Sequence, residues 1–150
     1  MPATPASVLA AASTCAALAE GGVLARLPAP APGLRLLSEE EAGVVRALAE
    51  ALHPRADHAA DVASALDGLL ARGVDPVAVP VVRHLLRGFD RGPVATHGAR
   101  FTQLEPPLRA EVVADWRAPA AGRQRLTIDL LAPFVAWAVA VAEPRQVHAA

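Results

Sequence analysis

An all-α fold follows from three features of the chain. Apolar residues recur at three- and four-residue steps in each long segment. Helix starts and stops are written out as cap residues, first-turn prolines and closing glycines. Strand-period alternation, hairpin dipeptides and internal repeats do not stand out. The length of 150 residues suits one domain with a real core. The expected architecture is a single compact domain of five or six short helices with an Ala-rich N-terminal helix. Residues 1–33 read as that helix and a Pro-rich linker, and 34–150 as the main helical body.

Residues 6–20 are alanine-rich, carry Val8, Leu9 and Leu18, and stop at Gly21-Gly22. No Lys or Arg precedes Arg26, so the charged start of a secretory signal is missing and a weakly amphipathic helix is the better reading. This leads to the expectation of a cytoplasmic protein. Pro-Ala-Pro-Ala-Pro-Gly at 28–33 reads as a stiff, extended linker. Ser38 with Glu41 forms a capping box, and Glu39, Glu40 and Glu41 load the first helical turn. Val45, Leu48 and Leu52 mark the apolar face of that helix, and Pro54 pushes His53 out of the α region and closes it.

A second helix is expected from about Asp57 to Arg72, striped by Val62, Leu66, Leu69 and Leu70 and ended by Gly73. Asp75-Pro76 supplies the next cap and first-turn proline. Pro80 then requires either a restart or a kink, with Val81 to Phe89 helical either way. Asp90-Arg91-Gly92-Pro93 ends this segment, and 90–99 reads as a loop. From Arg100 to Trp116 an aromatic residue leads into a proline-started helix. Leu104, Leu108, Val112 and Trp116 step by four, with Val113 alongside. Arg109 lies off that row. The last segment, about Gly122 to Ala142, carries only Asp129 as a charge between Leu126 and Ala142. Its row is Leu126, Leu130, Phe134, Trp137 and Val141, with Leu131 and Val135 alongside. Asp129 and Pro133 inside a stretch of marginal length favour a central core helix over a membrane span.

The composition removes several chemistries. The formal charge of −1, with no basic patch, argues against nucleic-acid binding. All fourteen basic residues are arginine, and tyrosine is absent, so neither Schiff-base lysine nor tyrosine acid chemistry is available. A single cysteine, Cys15, excludes an internal disulfide and a cysteine-based zinc site. His53, Asp57, His58 and Asp61 are close in sequence, but Pro54 breaks their register, and capping accounts for them better than a metal does. Ser38 is a cap, and no Gly-x-Ser-x-Gly turn or phosphate loop occurs. No catalytic, cofactor-binding or metal residue is assigned. Phe89, Phe101, Trp116, Phe134 and Trp137 serve either the core or a partner interface.

The order of these features carries a resemblance. Leu37-Ser38-Glu39-Glu40-Glu41-Ala42 leads into Val45-Arg46-Ala47-Leu48-Ala49-Glu50-Ala51-Leu52-His53-Pro54, and Ala60-Asp61-Val62 opens the next helix. Arg100-Phe101-Thr102-Gln103-Leu104, Leu108-Arg109, Val112-Val113 and Trp116 follow. From about Leu37 to Ala142 the chain resembles the gluconate 2-dehydrogenase subunit 3 family. These are small subunits that accompany flavin-dependent dehydrogenases of the glucose–methanol–choline type. The resemblance implies a non-catalytic accessory subunit with no cofactor of its own. FAD would reside in a flavin-dependent oxidoreductase large subunit, which this chain binds and stabilises. Many members carry a twin-arginine export signal, and residues 1–33 do not resemble one.

The candidate partner-binding residues are Phe101, expected to reach outward, Arg109, expected to be unengaged, and Trp116, with a ring edge open. Two other readings stand beside this one: a helical regulatory or adaptor module, and a small helical enzyme or cofactor binder with a pocket lined by His53, His58 or His84.

The capping box gives a direct test. Ser38→Ala is expected to cost about 1 kcal/mol of stability, read as a lower midpoint in thermal or denaturant unfolding.

Overall fold

The computed structural model describes residues 5–19, 26–56 and 61–143, and these are helical with no strand among them. Six helices of eleven residues or more form the body: α1 (Pro5–Ala19), α2 (Glu39–Leu52), α3 (Val62–Arg72), α4 (Val79–Arg91), α6 (Pro106–Arg117) and α7 (Arg123–Ala142). A single turn, α5 (Val94–His97), lies between α4 and α6. Short 3₁₀ turns cover Pro76–Ala78, Phe101–Gln103 and Pro119–Ala121.

The N-terminus of α2 follows directly from its sequence. Ser38 Oγ accepts from Glu41 N–H at 3.2 Å, and Glu41 Oε2 accepts from Ser38 N–H at 2.6 Å. Both orphan donors of the first turn are thereby satisfied. At its other end, His53 is the C-cap and Pro54 stops the helix. α3 begins at Val62 and not near Asp57. Asp61 is its cap, accepting from Ser64 N–H and Ser64 Oγ–H. Those bonds, the Ser64 hydroxyl first, hold the Asp61 carboxyl below its usual range. Residues 57–60, with the expected start at Asp57, lie outside the described residues, as does the stop at Gly21-Gly22.

Pro80 resolves as a restart. Asp75 caps the 3₁₀ turn Pro76–Ala78, and α4 then opens with Pro80 in its first turn, where a missing N–H costs nothing. The stretch 90–99 is more ordered than a loop. α4 runs through Arg91, and one further turn ends at Gly98, whose φ of +73° favours glycine.

α7 is the central helix. It packs against α1, α2, α3, α4 and α6. It is also the one described helix long and apolar enough to cross a membrane, with a mean hydropathy of 1.6. Its buried residues are Ile128, Leu130, Leu131, Phe134, Val135, Ala138 and Val139. The expected row holds in its middle, at Leu130, Leu131, Phe134 and Val135, and fails only at its ends. Leu126 and Val141, at the two ends, are exposed, because helices crowd the middle of α7 from several sides and leave its ends uncovered.

The Pro-rich stretch does not hold α1 apart from the body. Val8, Ala11, Ala12 and Cys15 of α1 are buried, and α1 lies on α7, α4 and the turn Pro76–Ala78. The stretch 26–38 is a strap pinned at three places. Arg83 Nη2 donates to the Pro28 carbonyl at 2.7 Å. The buried carboxylate of Asp67 accepts from the N–H groups of Arg35, Leu36 and Leu37, each at 2.9 Å. Glu41 takes the Ser38 N–H as described.

The Glu41 carboxylate is fully buried and also receives Arg83 Nε at 3.0 Å and Nη2 at 3.0 Å. Breaking a buried pair from one side leaves an uncompensated charge, which costs about 3–5 kcal/mol. Arg83→Met is therefore expected to lower stability by about that much. The double variant Glu41→Leu/Arg83→Met should lose at least about 1 kcal/mol less than the sum of the two single variants. Denaturant unfolding of the four proteins measures the coupling.

Candidate functional site

The region around Phe101 is built on a ring cluster. Phe89 of α4 meets Phe101 edge-on at 4.7 Å between centroids, and Trp116 of α6 in the same way at 4.7 Å. Phe89 and Phe101 are fully buried, and Trp116 is 8% exposed. Gly92 closes the cluster, because a Cβ there would lie 2.2 Å from Trp116 Cζ2. Only glycine permits this approach of the α4 end to the ring.

Polar groups then fix the backbone that carries Phe101. Asp90 is fully buried, and its Oδ1 accepts from Thr102 N–H at 3.0 Å and from Thr102 Oγ–H at 2.9 Å. Arg109 Nε donates to the Phe101 carbonyl at 3.2 Å, and Nη2 to the Thr102 carbonyl at 2.8 Å. Its third arm, Nη1, meets Glu50 Oε2 at 3.3 Å, and the guanidinium carbon lies 5.8 Å from the Phe101 ring centre. Arg100 Nη1 pairs with Glu40 Oε1 at 3.3 Å. Glu40 and Glu50 are ten residues apart on α2, about 15 Å along a helix. The segment 100–109 is thus stapled to α2 at both ends.

This arrangement corrects three expectations. Phe101 does not reach outward: it is buried against Phe89. Trp116 has no open edge of consequence, because Phe89 and Gly92 cover it. Arg109 is not off the packed face of α6 but on it. Residues 109, 112, 113 and 116 form the inward stripe, and Arg109 spends its donors on two carbonyls and Glu50. Leu108, expected in the core row, is 37% exposed instead. Leu108 alone leaves the four-step row, since Leu104, Val112 and Trp116 are buried, and Arg109 takes the inward place beside it because its long stem can pack while its head is bonded. What reaches the surface on this part of α6 is Leu108.

Among the described residues, the remaining polar side chains do not gather into a metal-ligating group. His84 is exposed on α4, His53 is half-buried at the α2 C-cap, and His97 Nδ1 is 2.8 Å from Thr96 Oγ. His58 lies outside the described residues. Among the described residues no group of three metal-ligating side chains occurs. Burial pushes the Cys15 thiol up to about 11, which keeps it protonated at neutral pH. One groove of about 400 Å³ runs between the strap and the starts of α2 and α3, lined by Gly33, Glu39, Arg46, Asp61 and Ser64. Arg46 and Asp61 face each other there at 3.7 Å.

Some of these contacts left no trace in the sequence. Nothing in the spacing links Glu40 to Arg100 or Glu50 to Arg109. Asp67 did leave a signal, as an acid inside the apolar stripe of α3, and so did Gly92, as a glycine between a helix end and a proline.

A family model described as Gluconate 2-dehydrogenase subunit 3 matches residues 39–139. The match begins at the first residue of α2 and ends in the last turn of α7, leaving α1 and the strap outside it. No curated protein and no solved structure matches the chain.

The burial of Phe101 yields a stability prediction. Phe101→Ala is expected to destabilise the fold by about 3–5 kcal/mol, as large-to-small changes in a packed aromatic core do. Equilibrium unfolding followed by Trp fluorescence checks it.

Proposed function

The chain belongs to the gluconate 2-dehydrogenase subunit 3 family, and from that membership we propose that it is the small accessory subunit of a dehydrogenase complex. In this reading it carries out no chemistry itself. It binds the flavin-dependent large subunit, which holds FAD, and stabilises it by mass action, because a ligand that binds only the folded state shifts the folding equilibrium. The family match over the whole of α2 to α7 carries this reading.

The region of Phe101, Arg109 and Trp116 supports it as a foundation for a partner surface. Three buried rings and a fully bonded arginine give a rigid base, and rigid bases lower the ordering cost of association. Beside it, Leu108 offers an exposed apolar side chain of the kind a partner surface buries. Arg109 takes part by holding this surface in place.

The test pairs the purified chain with a candidate flavin-dependent oxidoreductase large subunit from the same source. A stable complex, with the flavin absorbance in the large subunit, is expected. Leu108→Asp should weaken that complex about tenfold or more, roughly 1.4 kcal/mol, while thermal unfolding of the small chain stays nearly unchanged. Unchanged affinity would move the contact surface elsewhere. Failure of the parent chain to associate would end the accessory-subunit reading in favour of a helical adaptor.

A further inference from the structure

α6 carries its acids differently from α2. On α2, Glu40 meets Arg100, Glu41 meets Arg83 and Glu50 meets Arg109. The side chains of Glu105, at the α6 N-cap, and of Glu111 and Asp115, within α6, have no ion pair and no hydrogen bond among the described residues. Arg109 stands at the right helical spacing to pair with Glu105. Its guanidinium is instead turned inward, onto the Phe101 and Thr102 carbonyls and Glu50.

Two of these acids are also placed against the stability of the helix. Glu111 and Asp115 are four residues apart, so two like charges lie side by side on α6, which destabilises it. Asp115 stands in the last turn, where the helix dipole disfavours a negative charge. Leu108 shares their flank, because steps of three and seven residues return to the same side of a helix. All three side chains are exposed, Leu108 at 37%. About 10 Å of helix therefore presents one apolar side chain and two carboxylates without a counter-charge.

We propose that this flank of α6 docks on the large subunit through a basic surface, one that sets arginine or lysine side chains against Glu111 and Asp115 around an apolar recess for Leu108. The proposal rests on the accessory-subunit reading and names the chemistry of the contact it requires. Charge complementarity selects the occupant. A second copy of the chain, joined through the same face, would set two acidic flanks against each other. An anionic membrane surface would repel the flank. A basic protein surface relieves the repulsion between Glu111 and Asp115, and opposite charges steer the two proteins together before Leu108 is buried.

The experiment uses the full chain and a candidate flavin-dependent large subunit from the same source, with association rates measured at low and at high salt. The parent chain is expected to associate about tenfold or more faster at low salt, because screening weakens the steering. The neutral double variant Glu111→Gln/Asp115→Asn should associate severalfold more slowly at low salt and lose most of the salt dependence. Its thermal midpoint in isolation should equal or exceed that of the parent, since a like-charge pair has been removed. Glu111→Arg/Asp115→Arg should slow association further. A parent that binds without salt dependence overturns the basic-surface proposal and leaves the accessory-subunit reading standing. A neutral variant that binds with the parent's rate and salt dependence has the same consequence. A parent that does not bind at all overturns both.

Discussion

The buried carboxylate of Glu41 is the constraint on which the rest of the structure depends. It sits at the N-terminus of α2, where a negative charge suits both the helix dipole and the unpaired N–H groups. It also joins three pieces of chain distant in sequence. Arg83 brings α4 to it, Arg83 in turn holds the Pro28 carbonyl, and Ser38 N–H fixes the entry into α2. Charges this deep are tolerated because each meets an opposite charge and further hydrogen bonds, Arg83 to the Pro28 carbonyl and Glu41 from the Ser38 N–H. Their value lies in geometry: an alanine-rich chain has few large side chains with which to enforce a unique helix arrangement, and these directed bonds supply it.

Asp67 and Arg109 repeat the device elsewhere. Each uses one charged side chain to satisfy backbone groups that no helix could satisfy. Asp67 takes three successive N–H groups of the strap, and Arg109 takes two successive carbonyls of the turn at Phe101 and Thr102. Irregular backbone near a core otherwise leaves unpaired polar groups, each costing about 1–3 kcal/mol. The strap at 35–37 and the turn at 101–102 are thereby pinned by directed bonds. That rigidity is what a binding surface around Leu108 requires, because little ordering remains to be done on association.

Around these anchors the rings do the filling. Phe89 touches both Phe101 and Trp116, so α4, the turn at 101–103 and α6 meet at one residue. α1 stands apart from this economy, with small buried residues and no charge. It lies outside the region matched by the family model, yet its Val8, Ala11, Ala12 and Cys15 join the same core.

The sequence determined the helices and most of their ends, because caps, first-turn prolines and closing residues act within four residues of each other. Ser38 with Glu41, Asp75 with Pro76, and the α6 start at Pro106 were all legible. So was the central place of α7, from its lack of charge. The family could be read from the order of these same features. The tertiary structure alone decided which face each helix presents and which charges are buried. Arg109 lies inward and Leu108 outward because two carbonyls and Glu50 await the guanidinium. Phe101 lies inward because Phe89 packs edge-on against it, while Gly92 makes room for Trp116 on the same Phe89 ring. Glu41 was visible as a cap, but its burial depends on Arg83, forty-two residues away. Local signals have the range of a helical turn, whereas these choices are set by partners brought together only when the helices pack.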